Sequence, residues 1–220
     1  MDYLDCVEVA TGDAPDTSVI WLHGLGASGH DFEPVVPHLG LPEHAAVRFV
    51  FPHAPEIPVT INGGMVMPAW YDIRSLDRAG DLDEDRILAS SQATRDLIER
   101  EIQRGVDSRR IIVAGFSQGG AIAYHTALTY EKPLAGLMAL SSYFATPHLT
   151  QPGEANRELP VFIAHGTQDP MLPEALGRQS LEHMQQLGYD PVYKTYPMGH
   201  EVCMEEIRDM GNWLRPVLGY

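Results

Sequence analysis

Cysteine is nearly absent from this chain. Cys6 and Cys203 are the only two in 220 residues and lie far apart, so no disulfide framework is expected to hold the fold. Long apolar runs are missing too, since no stretch approaches the ~18 apolar residues of a membrane span. Basic residues are scarce: 15 Lys and Arg stand against 30 Asp and Glu, for a formal net charge of −15. Such an excess of carboxylates repels phosphate backbones and anionic headgroups, which argues against nucleic acid as a partner and against electrostatic docking on membranes. The opening residues carry neither a basic nor an apolar leader, so a cytoplasmic location without membrane integration is expected. Motifs for borrowed chemistry are lacking as well. There is no His-Glu-x-x-His pair and no Gly-x-x-x-x-Gly-Lys loop. Gly24 to Gly29 meets a dinucleotide pattern only in part, because no acid follows ~20 residues on at a strand end. Neither a metal nor a cofactor is therefore expected. With no internal repeat, low-complexity tract or convincing linker, residues 1–220 read as one domain.

What is present alternates. Short, near-continuous apolar runs occur at 19–22, 47–51, 111–114, 137–140, 161–164 and 192–196, the pattern of strands covered on both faces in a mostly parallel sheet. Helical segments lie between and after them at 83–104, 118–130, 173–187 and 201–214. In the first of these Ile87, Leu88, Leu97, Ile98 and Ile102 fall on one stripe, and in the last Val202, Ile207, Met210, Trp213 and Leu214 face a core. Alternating strands and helices define the α/β class. Residues 52–82 resist the scheme. Connections of that length inside compact domains are usually functional or disordered, and Met65, Val66, Met67 and Trp70 are too apolar for a disordered linker. A lid or pocket wall is one reading; an irregular subdomain packed on the core is the other.

The chemistry centres on residues 110–122, a buried strand, a Gly-x-Ser-x-Gly turn and the start of a helix. Gly115 and Gly119 leave room for a tight turn that pushes the Ser117 hydroxyl out at the strand's C-terminal end, the arrangement of a nucleophile elbow. A serine hydroxyl needs a base to remove its proton and an acid to orient that base. After a nucleophile elbow the two follow in the order acid, then histidine. Asp169 comes just beyond the strand at 161–164, and His200 just beyond the strand ending at Tyr196. His165 precedes Asp169 and so reverses the order. His30, His38, His44, His53, His125, His148 and His183 lack the right preceding strand, and His23 reads as structural. Asp190 precedes its strand and Asp209 would point from the last helix, which leaves Asp169 as the acid. Two preplaced donors are needed for the oxyanion: the Gln118 amide at the helix start and the Leu25 amide in the glycine-containing loop 23–27.

Trp21-Leu22-His23-Gly24-Leu25-Gly26, Pro68-Ala69-Trp70-Tyr71-Asp72, Gly115-Phe116-Ser117-Gln118-Gly119-Gly120 and Pro197-Met198-Gly199-His200-Glu201 together resemble the phospholipase/carboxylesterase family of small α/β-hydrolases. The resemblance spans nearly the whole chain and is closest to the bacterial carboxylesterases, which are related to the acyl-protein thioesterases of eukaryotes. It implies an α/β-hydrolase fold with Ser117, Asp169 and His200 as triad and Leu25 and Gln118 as oxyanion amides. It also implies an acyl-chain groove edged by residues around 63–72, with Met65, Val66, Met67 and Trp70 binding substrate. The sequence departs from the thioesterase branch at Ala27, where that branch often has Asp. The resulting expectation is a serine carboxylesterase acting on short- to medium-chain acyl esters as small-molecule substrates. Acyl-protein thioesterase or lysophospholipase activity is the alternative, and an acyltransferase or a non-catalytic binding module of the same fold are the rivals. A homodimer through exposed apolar loop residues is compatible with the sequence.

Overall fold

The computed structural model of the chain describes residues 3–75 and 82–220. In chain order the strands are β1 (Cys6–Ala10), β2 (Thr17–Leu22), β3 (Val47–Pro52), β4 (Glu56–Val59), β5 (Met65–Pro68), β6 (Ile111–Phe116), β7 (Gly136–Leu140), β8 (Val161–Gly166) and β9 (Val192–Tyr196). Seven of them form one sheet in the order β1-β3-β2-β6-β7-β8-β9, and β4 pairs with β5 in a separate antiparallel hairpin. β1 is antiparallel to β3, and every other pairing in the large sheet is parallel.

Successive side chains of the central strands go to opposite faces, as the pleat requires. Ile20, Leu22, Ile111 and Val113 join one core; Val19, Trp21, Ile112 and Ala114 join the other. The first core is closed by α1 (Glu84–Gln103), α2 (Gln118–Thr129) and α3 (Glu174–Gln186), through residues such as Ile87, Leu97, Ile122 and Met184. The second is closed by α4 (Met204–Leu218), through Ile207, Met210, Trp213 and Leu214, together with Val35 and Val36 of a short 3-10 turn. Each such side chain taken fully out of water contributes about 1.5–3 kcal/mol. The result is an α/β-hydrolase fold, with the C-terminal ends of the parallel strands on one edge. Among the described residues no helix is long and apolar enough to cross a membrane.

Several expectations change in detail. Leu88 is 45% exposed and leaves the predicted stripe. The buried face of α1 runs instead through Ile87, Ser91, Thr94, Leu97, Ile98 and Glu101, because α2 packs closely enough for Thr126 Oγ to donate to Ser91 Oγ at 2.9 Å. α4 continues to Leu218 past Pro216, where a proline in the last turn displaces little of the hydrogen-bond ladder, and it ends on Gly219 at φ 80. β9 is not covered on both faces: it is an edge strand with Val192, Lys194 and Thr195 exposed. β1, the other edge, was invisible as an apolar run because its residues are at most half-buried. The long segment 52–82 is not irregular throughout: it folds into the β4–β5 hairpin over 56–68, and beyond the hairpin its Tyr71 and Ile73 line the cavity described below, as a pocket wall would; its residues 76–81 lie outside the described residues.

One buried charge ties this frame together. The Glu101 side chain on α1 is fully buried, yet it accepts from Ser18 Oγ of β2 at 2.8 Å, from Arg48 Nη1 of β3 at 2.7 Å and from Arg104 Nη1 at 2.9 Å. Glu8 of β1 engages Arg100 and Arg104 from the outside. Glu101→Ala takes away the buried acceptor of Ser18 Oγ and Arg48 Nη1, while the partly exposed arginines keep Glu8. It is expected to cost about 1–3 kcal/mol, read as a lowered urea midpoint.

Candidate active site

At the end of β6 the chain turns sharply through Ser117, whose φ of 54° and ψ of −118° lie where a non-glycine residue is strained by about 1–3 kcal/mol. Neighbouring segments hold it there. The Ser117 amide donates to the Leu140 carbonyl at 2.9 Å, and Ser142 Oγ donates to the Ser117 carbonyl at 2.6 Å. A Cβ at Gly115 would stand 2.3 Å from the Gly119 backbone, and one at Gly119 would stand 2.4 Å from the Leu22 carbonyl oxygen. Both glycines of the sequence motif are thus required by contact, as is Gly120, where a Cβ would meet that of Ser142 at 2.5 Å.

Loops after β8 and β9 bring the other two predicted groups to this turn. Ser117 Oγ lies 2.9 Å from His200 Nε2, and His200 Nδ1 lies 2.6 Å from Asp169 Oδ2. Since a carboxylate accepts, Nδ1 carries the proton and Nε2 presents its lone pair to the serine. The Asp169 side chain is fully buried, and its other oxygen accepts from the amides of Met171 and Leu172, each at 2.8 Å. Behind it stands a group that sequence order had set aside. His165 is fully buried, donates Nε2–H to the Leu172 carbonyl at 2.8 Å and lies 3.6 Å from Asp169 Oδ2. Burial holds its pKa below the ordinary histidine range, so it supports the carboxylate loop as a neutral ring. His23 is structural as expected: its Nε2 accepts from the Ala54 amide at 3.1 Å, and burial lowers its pKa too.

The Ser117 hydroxyl opens into a cavity of about 200 Å³ lined by Leu25, Ala27, Asp31, Tyr71, Ile73, Phe116, Gln118, Tyr143, Met171, Leu172 and His200 among others. Among the described residues the amides of Leu25 and Gln118 have no protein acceptor, which leaves them available to a ligand oxygen. The four predicted groove residues lie elsewhere. Trp70 is 1% exposed, because its amide donates to Gln118 Oε1 at 2.8 Å and its indole N–H to the His23 carbonyl at 2.8 Å. Met65 and Val66 start β5 and are 64% and 61% exposed, outside the cavity wall. Met67 packs beneath Leu25 with Ile57, Val59 and Ala69, so the hairpin props the Leu25 loop rather than lining the cavity. Tyr71, which falls within the 63–72 stretch expected to edge a groove, lines the cavity together with Tyr143, which the sequence reading did not single out; their hydroxyls are 2.9 Å apart. The Gln118 side chain was missed as well: its Nε2 donates to the Tyr71 carbonyl at 2.7 Å, so it clamps both Trp70 and Tyr71. Among the described residues no three His, Cys, Asp or Glu side chains converge as a metal site.

A parallel sheet flanked by helices, with a serine turn, a histidine and an acid meeting above its C-terminal edge, places the molecule among the α/β-hydrolases. More narrowly, the chain belongs to the phospholipase/carboxylesterase family, whose pattern matches residues 4–218, and it is an enzyme that hydrolyses carboxylic esters or thioesters. It is 40% identical over 208 residues to acyl-protein thioesterase 1 of Neurospora crassa, covering 90% of this chain and 85% of that one. Among solved structures it is similar to SOBER1 of Arabidopsis thaliana, with 31% identity and a TM-score of 0.86 over 92% of this chain and 99% of that one. Acyl-protein thioesterase 2 of Zea mays superposes with a TM-score of 0.87 at 25% identity, over 99% of this chain and 100% of the maize chain.

Gln118→Ala keeps the main-chain amide but removes the buried hydrogen bonds that the side chain makes to the Trp70 N–H and the Tyr71 C=O. It is expected to lower unfolding free energy by about 1–3 kcal/mol, measured by urea titration.

Proposed function

We propose that the protein is a serine acyl hydrolase that cleaves short to medium acyl groups from thiol and hydroxyl leaving groups, with Ser117, His200 and Asp169 as its catalytic triad. The observation that carries this reading is the unbroken hydrogen-bond chain from Asp169 through His200 to Ser117, ending at the cavity. The thioester side of the reading draws on the acyl-protein thioesterase 1 relative, and widens the carboxylesterase expected from sequence. The acyl length draws on the cavity, whose volume of about 200 Å³ is below the ~300–1,000 Å³ of sites for drug-sized ligands. The unpaired Cys6 and Cys203 fit a reducing compartment such as the cytoplasm.

Ser117 Oγ attacks the acyl carbonyl while His200 Nε2 takes its proton, and Asp169 stabilises the resulting imidazolium. The carbonyl oxygen, now negative, is held by the Gln118 and Leu25 amides, with the α2 N-terminus adding its positive end. As the tetrahedral intermediate collapses, His200 returns the proton to the departing sulfur or oxygen. Water then gives a proton to His200 and attacks the acyl-Ser117 carbonyl, and as the acid departs His200 returns that proton to Ser117 Oγ.

Ser117→Ala is expected to lower kcat on both an S-octanoyl-cysteinyl peptide and p-nitrophenyl octanoate by about 10³-fold or more, and to abolish fluorophosphonate labelling, with the urea midpoint little changed. Undiminished turnover would remove Ser117 as nucleophile.

A further inference from the structure

The two walls of the cavity belong to opposite faces of the sheet and differ in chemistry. Tyr71 and Ile73 pack with the core on the α2 side, and Tyr71 bonds to Tyr143. Phe116 packs with the core on the α4 side, its ring 4.8 Å from that of His200 and 5.5 Å from that of Phe32. Asp31 immediately precedes Phe32 in the chain and lines the same cavity as His200.

This division assigns the two arms of a bound acyl donor. The group that protonates the leaving atom must be next to it, so the leaving group lies on the side of His200 and Phe116, and whatever extends from it runs out along a cavity that Asp31 also lines. The acyl chain then takes the aromatic side of Tyr71 and Tyr143. Asp31 is exposed and, among the described residues, has no ion pair. Its neighbour His30 is engaged by Glu33 at 3.0 Å. Arg74, near the aromatic end, is 3.2 Å from Asp83. The described cavity wall contains no lysine or arginine, Glu201 is exposed beside His200, and the whole chain carries a formal charge of −15. A positive leaving group meets an unneutralised carboxylate there; a negative one is repelled.

Resting on the serine hydrolase reading above, we propose that Asp31 is a specificity-determining residue that selects cationic leaving groups, in particular an S-acylated cysteine flanked by lysine or arginine. The test compares kcat/KM on two S-octanoyl-cysteinyl peptides that differ only in flanking lysines or flanking glutamates, with p-nitrophenyl octanoate as a neutral reference. The wild-type enzyme is expected to prefer the lysine peptide by about tenfold at low ionic strength, with the preference shrinking as salt is added. Asp31→Asn is expected to reduce that ratio by about threefold, and Asp31→Lys to bring it to one or below. The ratio separates Asp31 from the general negative field, which all three proteins share apart from the charge at this position. A wild-type ratio of one, or a ratio unchanged in both variants, would overturn the inference; if p-nitrophenyl octanoate is still hydrolysed through Ser117, the serine hydrolase reading stands. Failure on all three substrates would overturn both.

Discussion

The contact between the start of α2 and the end of β2, where Gly119 lies against the Leu22 and His23 carbonyls with no space for a side chain, sets the geometry on which the site depends. Because the helix can approach that closely, the chain between β6 and α2 has to turn within one residue, and that residue takes the strained backbone of Ser117. The strain is held by bonds on both sides of the peptide unit, from Leu140 and Ser142 on the neighbouring β7 loop. The direction of the Ser117 hydroxyl and the position of the helix are thus one constraint rather than two.

Around this turn the supports come in layers. His200 is aimed by Asp169, Asp169 by the amides of Met171 and Leu172, and that loop by the neutral ring of His165. On the opposite flank, the β4–β5 hairpin buries Met67 under Leu25, and the Gly26 amide donates to the Pro68 carbonyl at 2.8 Å. The hairpin therefore fixes the backbone of residues 25–26 at the edge of the cavity, without lining it.

The sequence was most readable where a single local constraint decides the outcome. Gly115 and Gly119 around Ser117, the order Asp169 then His200, and the fully buried strands β2, β6, β7 and β8 all belong to this kind. It was least readable where burial depends on partners distant in the chain. Leu88 looked like part of the α1 stripe, but that stripe is completed by Ser91, Thr94 and Glu101, which are buried because they bond to α2 and to the sheet. Trp70 looked like a groove residue because it is aromatic and lies in a long connection; hydrogen bonds to Gln118 and His23 draw it into the core instead. β1 and β9 lack the apolar continuity of the inner strands because each has a neighbour on one side only.

Those two marginal strands share a further property. The central residue of β1 is Glu8 and that of β9 is Lys194, both carrying charge at the rim of the sheet. Glu8 is engaged by Arg100 and Arg104, while Lys194 reaches toward Asp209 at 3.6 Å. A foreign strand adding itself at either margin would have to strip water from one of these groups. Charge at both margins thus disfavours extension of the sheet at edges that lie away from the opening above Ser117.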